Sequence, residues 1–121
     1  MWTVLARDFL ENELSLIQNK KMRRLDAVEG SRIDSDIFER QMAVILELIQ
    51  HIENDFLHVL LKQRLKQVQH QIIRLQELGR EADHHKLWSA REEKETLTEL
   101  FKRWIIRLEQ DNVYPLTNIL N

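Results

Sequence analysis

His51, Asp55 and His58 stand at i, i+4 and i+7, a spacing that on one unbroken helix puts two imidazoles and a carboxylate on a single face. Those are donors that a divalent metal accepts. Asp55-Phe56-Leu57-His58 and Glu81-Ala82-Asp83-His84 also each set an acid three residues before a histidine, a pattern that can hold paired metals when repeated on facing helices of a bundle. A complete site of that kind needs further inward-facing glutamates, and Glu81 follows Gly79 in a stretch that reads as a connection. The spacing therefore predicts solvent-facing or rim histidines, with no metal and no cofactor.

A second chemistry is phosphate binding. Lys20-Lys21-Met22-Arg23-Arg24 is a basic cluster, and Lys62 and Lys66 form a smaller patch on one helical face while Arg64 points elsewhere. No aromatic residue interleaves the first cluster, and its place at the end of a helix also suits cations that oppose the helix dipole. With Lys+Arg 18 against Asp+Glu 20 and a formal charge of −2, any contact with nucleic acid is local rather than driven by the whole molecule's field. Catalysis finds no support: there is no nucleophile elbow and no glycine-rich phosphate loop, and cysteine is absent. No catalytic residue is expected.

The elements that must position these groups are helices. Between Gly30 and Gly79 there is neither glycine nor proline, and apolar residues recur there at spacings of three and four. Charged residues are 31% and apolar residues 43% of the 121 residues, the balance of an amphipathic helical protein with one domain and one core. The expected fold is all-α: a small bundle built on one long central helix, straight or kinked, or on a helical hairpin.

Along the chain, a first helix is predicted over about residues 4–26, with Leu5, Phe9 or Leu10, Leu14, Ile17 and Leu25 near one stripe, ending at Gly30. Asp34 or Ser35 can cap the next element, whose stripe of Phe38, Met42, Ile45, Ile49, Ile52, Phe56 and Leu60 shifts onto Leu61, Leu65, Val68, Ile72 and Leu75. The shift resembles a stutter. Two readings stand for residues 34–78. One is a continuous helix of about 45 residues, about 65–70 Å long; the other breaks near 54, at Glu53-Asn54-Asp55. Continuity is preferred because Asn-Asp without Gly or Pro is a soft breaker. Gly79 closes this element, and Ser89-Ala90-Arg91-Glu92 reads as a capping box opening a last helix over residues 89–110. Its predicted apolar face is Leu97, Leu100, Phe101, Trp104, Ile105 and Leu108. The segment 111–121 carries Val113, Tyr114, Leu116, Ile119 and Leu120 beside Pro115, and is apolar enough to pack on the domain or to dock into a partner.

Of the tryptophans, Trp104 is expected in the core, Trp88 at a helix entrance, and Trp2 at an interface, where tryptophan is enriched. Early acidic residues argue against a signal peptide, and the longest apolar runs are far short of the roughly 20 residues that cross a bilayer. A soluble intracellular protein, cytoplasmic or nuclear, with no membrane contact is expected.

Two stretches carry a family resemblance. Leu60-Leu61-Lys62-Gln63-Arg64-Leu65-Lys66-Gln67-Val68 resembles the arginine-leucine-x-lysine-isoleucine helix of GINS subunits, and Leu87-Trp88-Ser89-Ala90-Arg91-Glu92-Glu93 resembles the leucine-serine-x-glutamate-glutamate start of that family's next helix. Asn12-Glu13 is similar to the family's early asparagine-glutamate pair. Residues 61–100 are also similar to the helical hairpin of the helicase-binding domain of bacterial primase. Both resemblances imply a non-catalytic helical module in a replicative helicase assembly. The function expected is thus protein–protein interaction in DNA replication, with helicase or primase subunits as partners and Trp2, Tyr114, Leu116, Ile119 and Leu120 as contacts. The alternatives are a nucleic-acid-binding protein using Lys20, Lys21, Arg23, Arg24, Lys62 and Lys66, or a self-associating bundle. A homo- or hetero-oligomer is expected because a long helix cannot bury its whole stripe against two shorter ones.

Overall fold

The structure is a computed structural model that describes residues 2–26, 32–79 and 83–111. All four elements among them are α-helices: α1 (Trp2–Asp26), α2 (Arg32–His51), α3 (Leu57–Glu77) and α4 (His84–Gln110). The all-α class expected from the helical period is what forms. No helix among the described residues is long and apolar enough to cross a membrane.

The preference for one continuous helix over residues 34–78 is corrected. The chain turns at residues 52–56, and the reason is burial on both sides of the turn. Ile52 and Leu57 are both in the core, yet five residues of α-helix would point them about 140° apart. A turn brings both inward. Asn54 N–H donates to the His51 carbonyl at 3.1 Å and Phe56 N–H to Asp55 Oδ1 at 2.9 Å, the local bonds by which Asn and Asp compete with a helix. Two further boundaries differ. α2 begins at Arg32, so Asp34 and Ser35 lie inside its first turn instead of capping it; Gly30 lies outside the described residues. α4 begins at His84 with Asp83 as its N-cap, whose carboxylate accepts from the His85 and Lys86 amides at 3.0 and 3.2 Å. Ser89 is therefore inside α4, and Ser89-Glu92 is not a capping box, because an Asp further upstream already receives the free amides. Asp83→Ala is expected to lower stability by about 1 kcal/mol, whereas Ser89→Ala forfeits no cap; paired urea titrations read the difference. At the other end of that connection Gly79 takes φ +59°, the left-handed conformation that ends a helix.

Cross-helix pairs fix the topology. Arg7 meets Glu53 and Lys21 meets Glu39, so α1 and α2 run antiparallel; Asp8 meets Arg107 and Glu13 meets Arg103, so α1 and α4 do too. Glu47–Arg64 ties α2 to α3, and Lys62 lies over the Phe101 ring of α4 at 5.9 Å. The bundle is up-down-up-down, with α2 packed more closely on α4 than on its chain neighbour α3. Its core draws Ala6, Phe9, Leu10 and Ile17 from α1, Val44, Ile45 and Leu48 from α2, Leu61, Val68 and Ile72 from α3, and Leu97, Leu100, Trp104 and Leu108 from α4. α2 and α3 each bury a stripe inside this bundle. The expectation of oligomerisation that rested on one overlong helix thus loses its premise.

Candidate interaction surface

Of the three sets of side chains that the sequence singled out, this fold separates the histidine set and divides the basic set between two helices. His51 ends α2, Asp55 lies in the turn and His58 is in the first turn of α3, so the break removes the common face that their spacing needs. Among the described residues no group of three or more His, Cys, Asp and Glu is gathered as for a metal ion. The basic residues fall on two helices. Lys20, Lys21 and Arg23 are on α1, where Lys21 is bonded to Glu39 at 3.3 Å, and Lys62 and Lys66 are on α3; the side chain of Arg24 lies outside the described residues. The groove of α4 with α1 sets Glu95 and Glu99 beside Lys20 and Arg103, and its groove with α3 sets them beside Arg91 and Lys94, so charges of both signs lie among the described basic residues.

For the third set the structure describes only the helix ends beside it. Trp2 is the first residue of α1, and Arg107, three residues from the end of α4, donates to Asp8 Oδ2 at 2.7 Å and to Asp111 Oδ2 at 3.0 Å. Those hydrogen bonds, first to Asp8 and then to Asp111, hold the guanidinium still more firmly in its charged form. The start of α1, the α2–α3 turn and the point where the chain leaves α4 therefore share one end of the bundle. The side chain of Trp2, and Tyr114, Leu116, Ile119 and Leu120 altogether, lie outside the described residues.

At that end a cleft of about 280 Å³ opens between Thr3 and Ala6 of α1 and residues 52–57, lined there by Ile52, Glu53, Asn54, Asp55, Phe56 and Leu57. Its volume falls just under the roughly 300–1,000 Å³ of small-molecule pockets, which suits one or two inserted side chains. Phe56 is the feature that reading the sequence missed as a site. It is the extended N-cap of α3, with φ −66° and ψ 143°, and is 47% exposed. Read as a stripe position of a continuous helix it belonged to the core; the signal that could have moved it outward was the polar triplet Glu53-Asn54-Asp55 just before it. Covering the rest of such a ring is worth about 1 kcal/mol. The groove of α4 against α1 is walled by the Arg103–Glu13 and Arg103–Glu99 pairs, whose charges an apolar insertion would have to desolvate.

His58 flanks this cleft, its ring stacked on Phe56 with centroids 5.6 Å apart and planes 7° from parallel. Burial, with the Lys62 ammonium adding to it, pushes its pKa below the ordinary value, against a smaller opposite effect from Asp55. The folded state then binds fewer protons at His58 than the unfolded chain, so stability is complete above the unfolded pKa of about 6.5 and declines as the pH falls below it. Urea midpoints measured from pH 7.5 down to pH 5.5 are expected to fall more steeply for the native protein than for His58→Gln; parallel slopes would remove His58 from the titration.

No protein-family model, no curated protein and no solved structure matches this chain.

Proposed function

We propose that this chain is a non-catalytic helical interaction module that receives an apolar side chain of a protein partner against Phe56 at the end of the bundle. The observation that carries the reading is the half-exposed Phe56 on the wall of a cleft where Ala6, Ile52 and Leu57 meet Thr3, Glu53, Asn54 and Asp55, since aromatic anchors in small pockets dominate binding energy. The partner class is a replicative helicase or primase assembly, supported by the likeness of the 60–68 and 87–93 segments to GINS and primase helices. Those segments lie on α3 and α4, the two helices of one hairpin.

The test is capture from the native host by the tagged full chain, with nuclease treatment and identification by mass spectrometry, beside Phe56→Asp and the control Ile73→Asp. Ile73 is exposed on α3, roughly 25 Å along the helix from Phe56. Helicase or primase subunits retained by the control and reduced at least about tenfold by Phe56→Asp is the expected result, because the substitution replaces the aromatic anchor with a charge that the partner's apolar side chain would have to desolvate. Equal capture by all three proteins would refute the site.

A further inference from the structure

We propose that the outward face of α3 binds the phosphate backbone of duplex DNA, with Lys62, Lys66, His70 and Arg74 as its contacts. This face is separate from the cleft at Phe56, and the inference does not depend on a protein partner docking there.

Spacing builds the row. The four residues follow one another at i, i+4, i+8 and i+12, so they climb one side of the helix over about 18 Å while turning about 120° around it. All four are exposed, and so are Gln63, Gln67 and Gln71, each one residue after a member of the row. The helix turns Leu57, Leu61, Val68 and Ile72 the other way, into the core. Because α3 packs chiefly on α4 and only lightly on α2, it is an edge helix, and the described residues leave its outer side open.

Charge sets this face apart. Between Asp55 and Glu77 the chain has no acidic residue, whereas α1, α2 and α4 each mix both signs. Arg64, on the side toward α2, is paired with Glu47, but no ion pair among the described residues engages Lys66 or Arg74. Lys62 lies over the Phe101 ring, which places it on the α4 flank of the row. The neighbouring α3–α4 groove holds Arg91 and Lys94 together with Glu95 and Glu99. Those charges balance, so the excess of positive charge belongs to the outward row.

The surrounding chemistry selects the anion. Lysine, arginine and glutamine side chains are groups that hold phosphate and sugar oxygens. A lipid surface would need apolar side chains of the same helix to enter the bilayer, and the apolar stripe of α3 is in the core. A single strand would need aromatic rings for its bases to stack on, and residues 57–77 contain no Phe, Tyr or Trp. The major groove of duplex RNA is too narrow for side chains to read. That of B-DNA is about 12 Å wide and admits a helix, and α3 offers one uncovered on its outer side.

The test titrates a fluorescein-labelled DNA duplex of about 20 base pairs with the full chain and reads anisotropy between about 50 and 200 mM NaCl. With Lys62, Lys66 and Arg74 each on a phosphate, log affinity should fall against log salt with a slope of about −2.7, about 40-fold over that range. Lys66→Gln/Arg74→Gln should bring the slope to about −0.9 and weaken binding at the lowest salt at least about tenfold. Its urea midpoint should be unchanged, since both residues are exposed. Lys20→Gln/Arg23→Gln, on α1, should bind as the native chain does. No binding by about 0.1 mM protein at the lowest salt, a loss in the α1 variant in place of the α3 variant, or tighter binding to a single strand or an RNA duplex of the same sequence would each overturn the proposal. So would cosedimentation with phosphatidylserine–phosphatidylcholine vesicles that Lys66→Gln/Arg74→Gln abolishes while the DNA duplex stays unbound, an outcome that gives the row to lipid.

Discussion

Trp104→Ala is expected to lower stability by about 3–5 kcal/mol, the largest single effect available in this bundle. Trp104 is 0% exposed and sits where α4 meets α1, its ring 5.1 Å from that of Phe9 and tilted by 53°, a favourable arrangement for two quadrupoles. Removing the indole leaves a cavity that Leu10, Leu100 and Leu108, each fully buried, cannot collapse into without leaving their own contacts. A companion substitution isolates the polar part. The indole Nε1–H is buried with no acceptor among the described residues, and such a group costs about 1–3 kcal/mol. Trp104→Phe deletes that donor together with one ring, so its net loss should be well under half that of alanine. Denaturant titration reads both; a loss under about 1 kcal/mol for alanine would show that the indole is not what fills the core.

Arg103→Ala is the second large effect, at about 1–3 kcal/mol, although Arg103 itself is 44% exposed. The loss comes from its partner. Glu13 is 7% exposed and accepts from Arg103 Nε at 2.8 Å; without the guanidinium its carboxylate is left buried and unpaired. Glu13→Leu/Arg103→Leu should regain most of the loss, because neither charge then remains to be desolvated. A double-mutant cycle on these variants measures the coupling. By contrast Arg7–Glu53, with side chains 43% and 71% exposed, should contribute at most about 1 kcal/mol and less in salt. Additive single losses in the Glu13 cycle would show that the pair does not act as one.

How legible this was in the sequence depends on whether a signal was local. The helical period revealed the class, and the core positions Ile17, Ile45, Val68, Leu97 and Trp104 all lay on predicted stripes. The boundaries were harder. A stutter in one helix and a turn between two helices shift an apolar stripe in the same way, and only the joint burial of Ile52 and Leu57 decides between them. Asp83 and Ser89 are both good caps in isolation, and the choice follows from how far α4 must extend to pack Leu87 and Ala90 on the core. The cleft was invisible for the same reason as the turn, since Phe56 faces outward only once the chain breaks before it. The meeting of α1's start with α4's end could not be read at all, because nothing in a one-dimensional pattern says which helix ends share a side of a bundle.

The seam between α1 and α4 also sets an order of events in time. Its polar ties join residues 90 and 99 positions apart, while α1–α2 and α3–α4 each close through short connections. Loop-closure entropy favours the short closures first, so the two hairpins assemble early and α1 arrives on α4 last. Contacts at the seam are then absent from the rate-limiting state. Substitutions at Arg103 should leave the folding rate nearly unchanged and appear almost wholly as faster unfolding, so that this seam acts on how long the folded molecule lasts and little on how fast it forms.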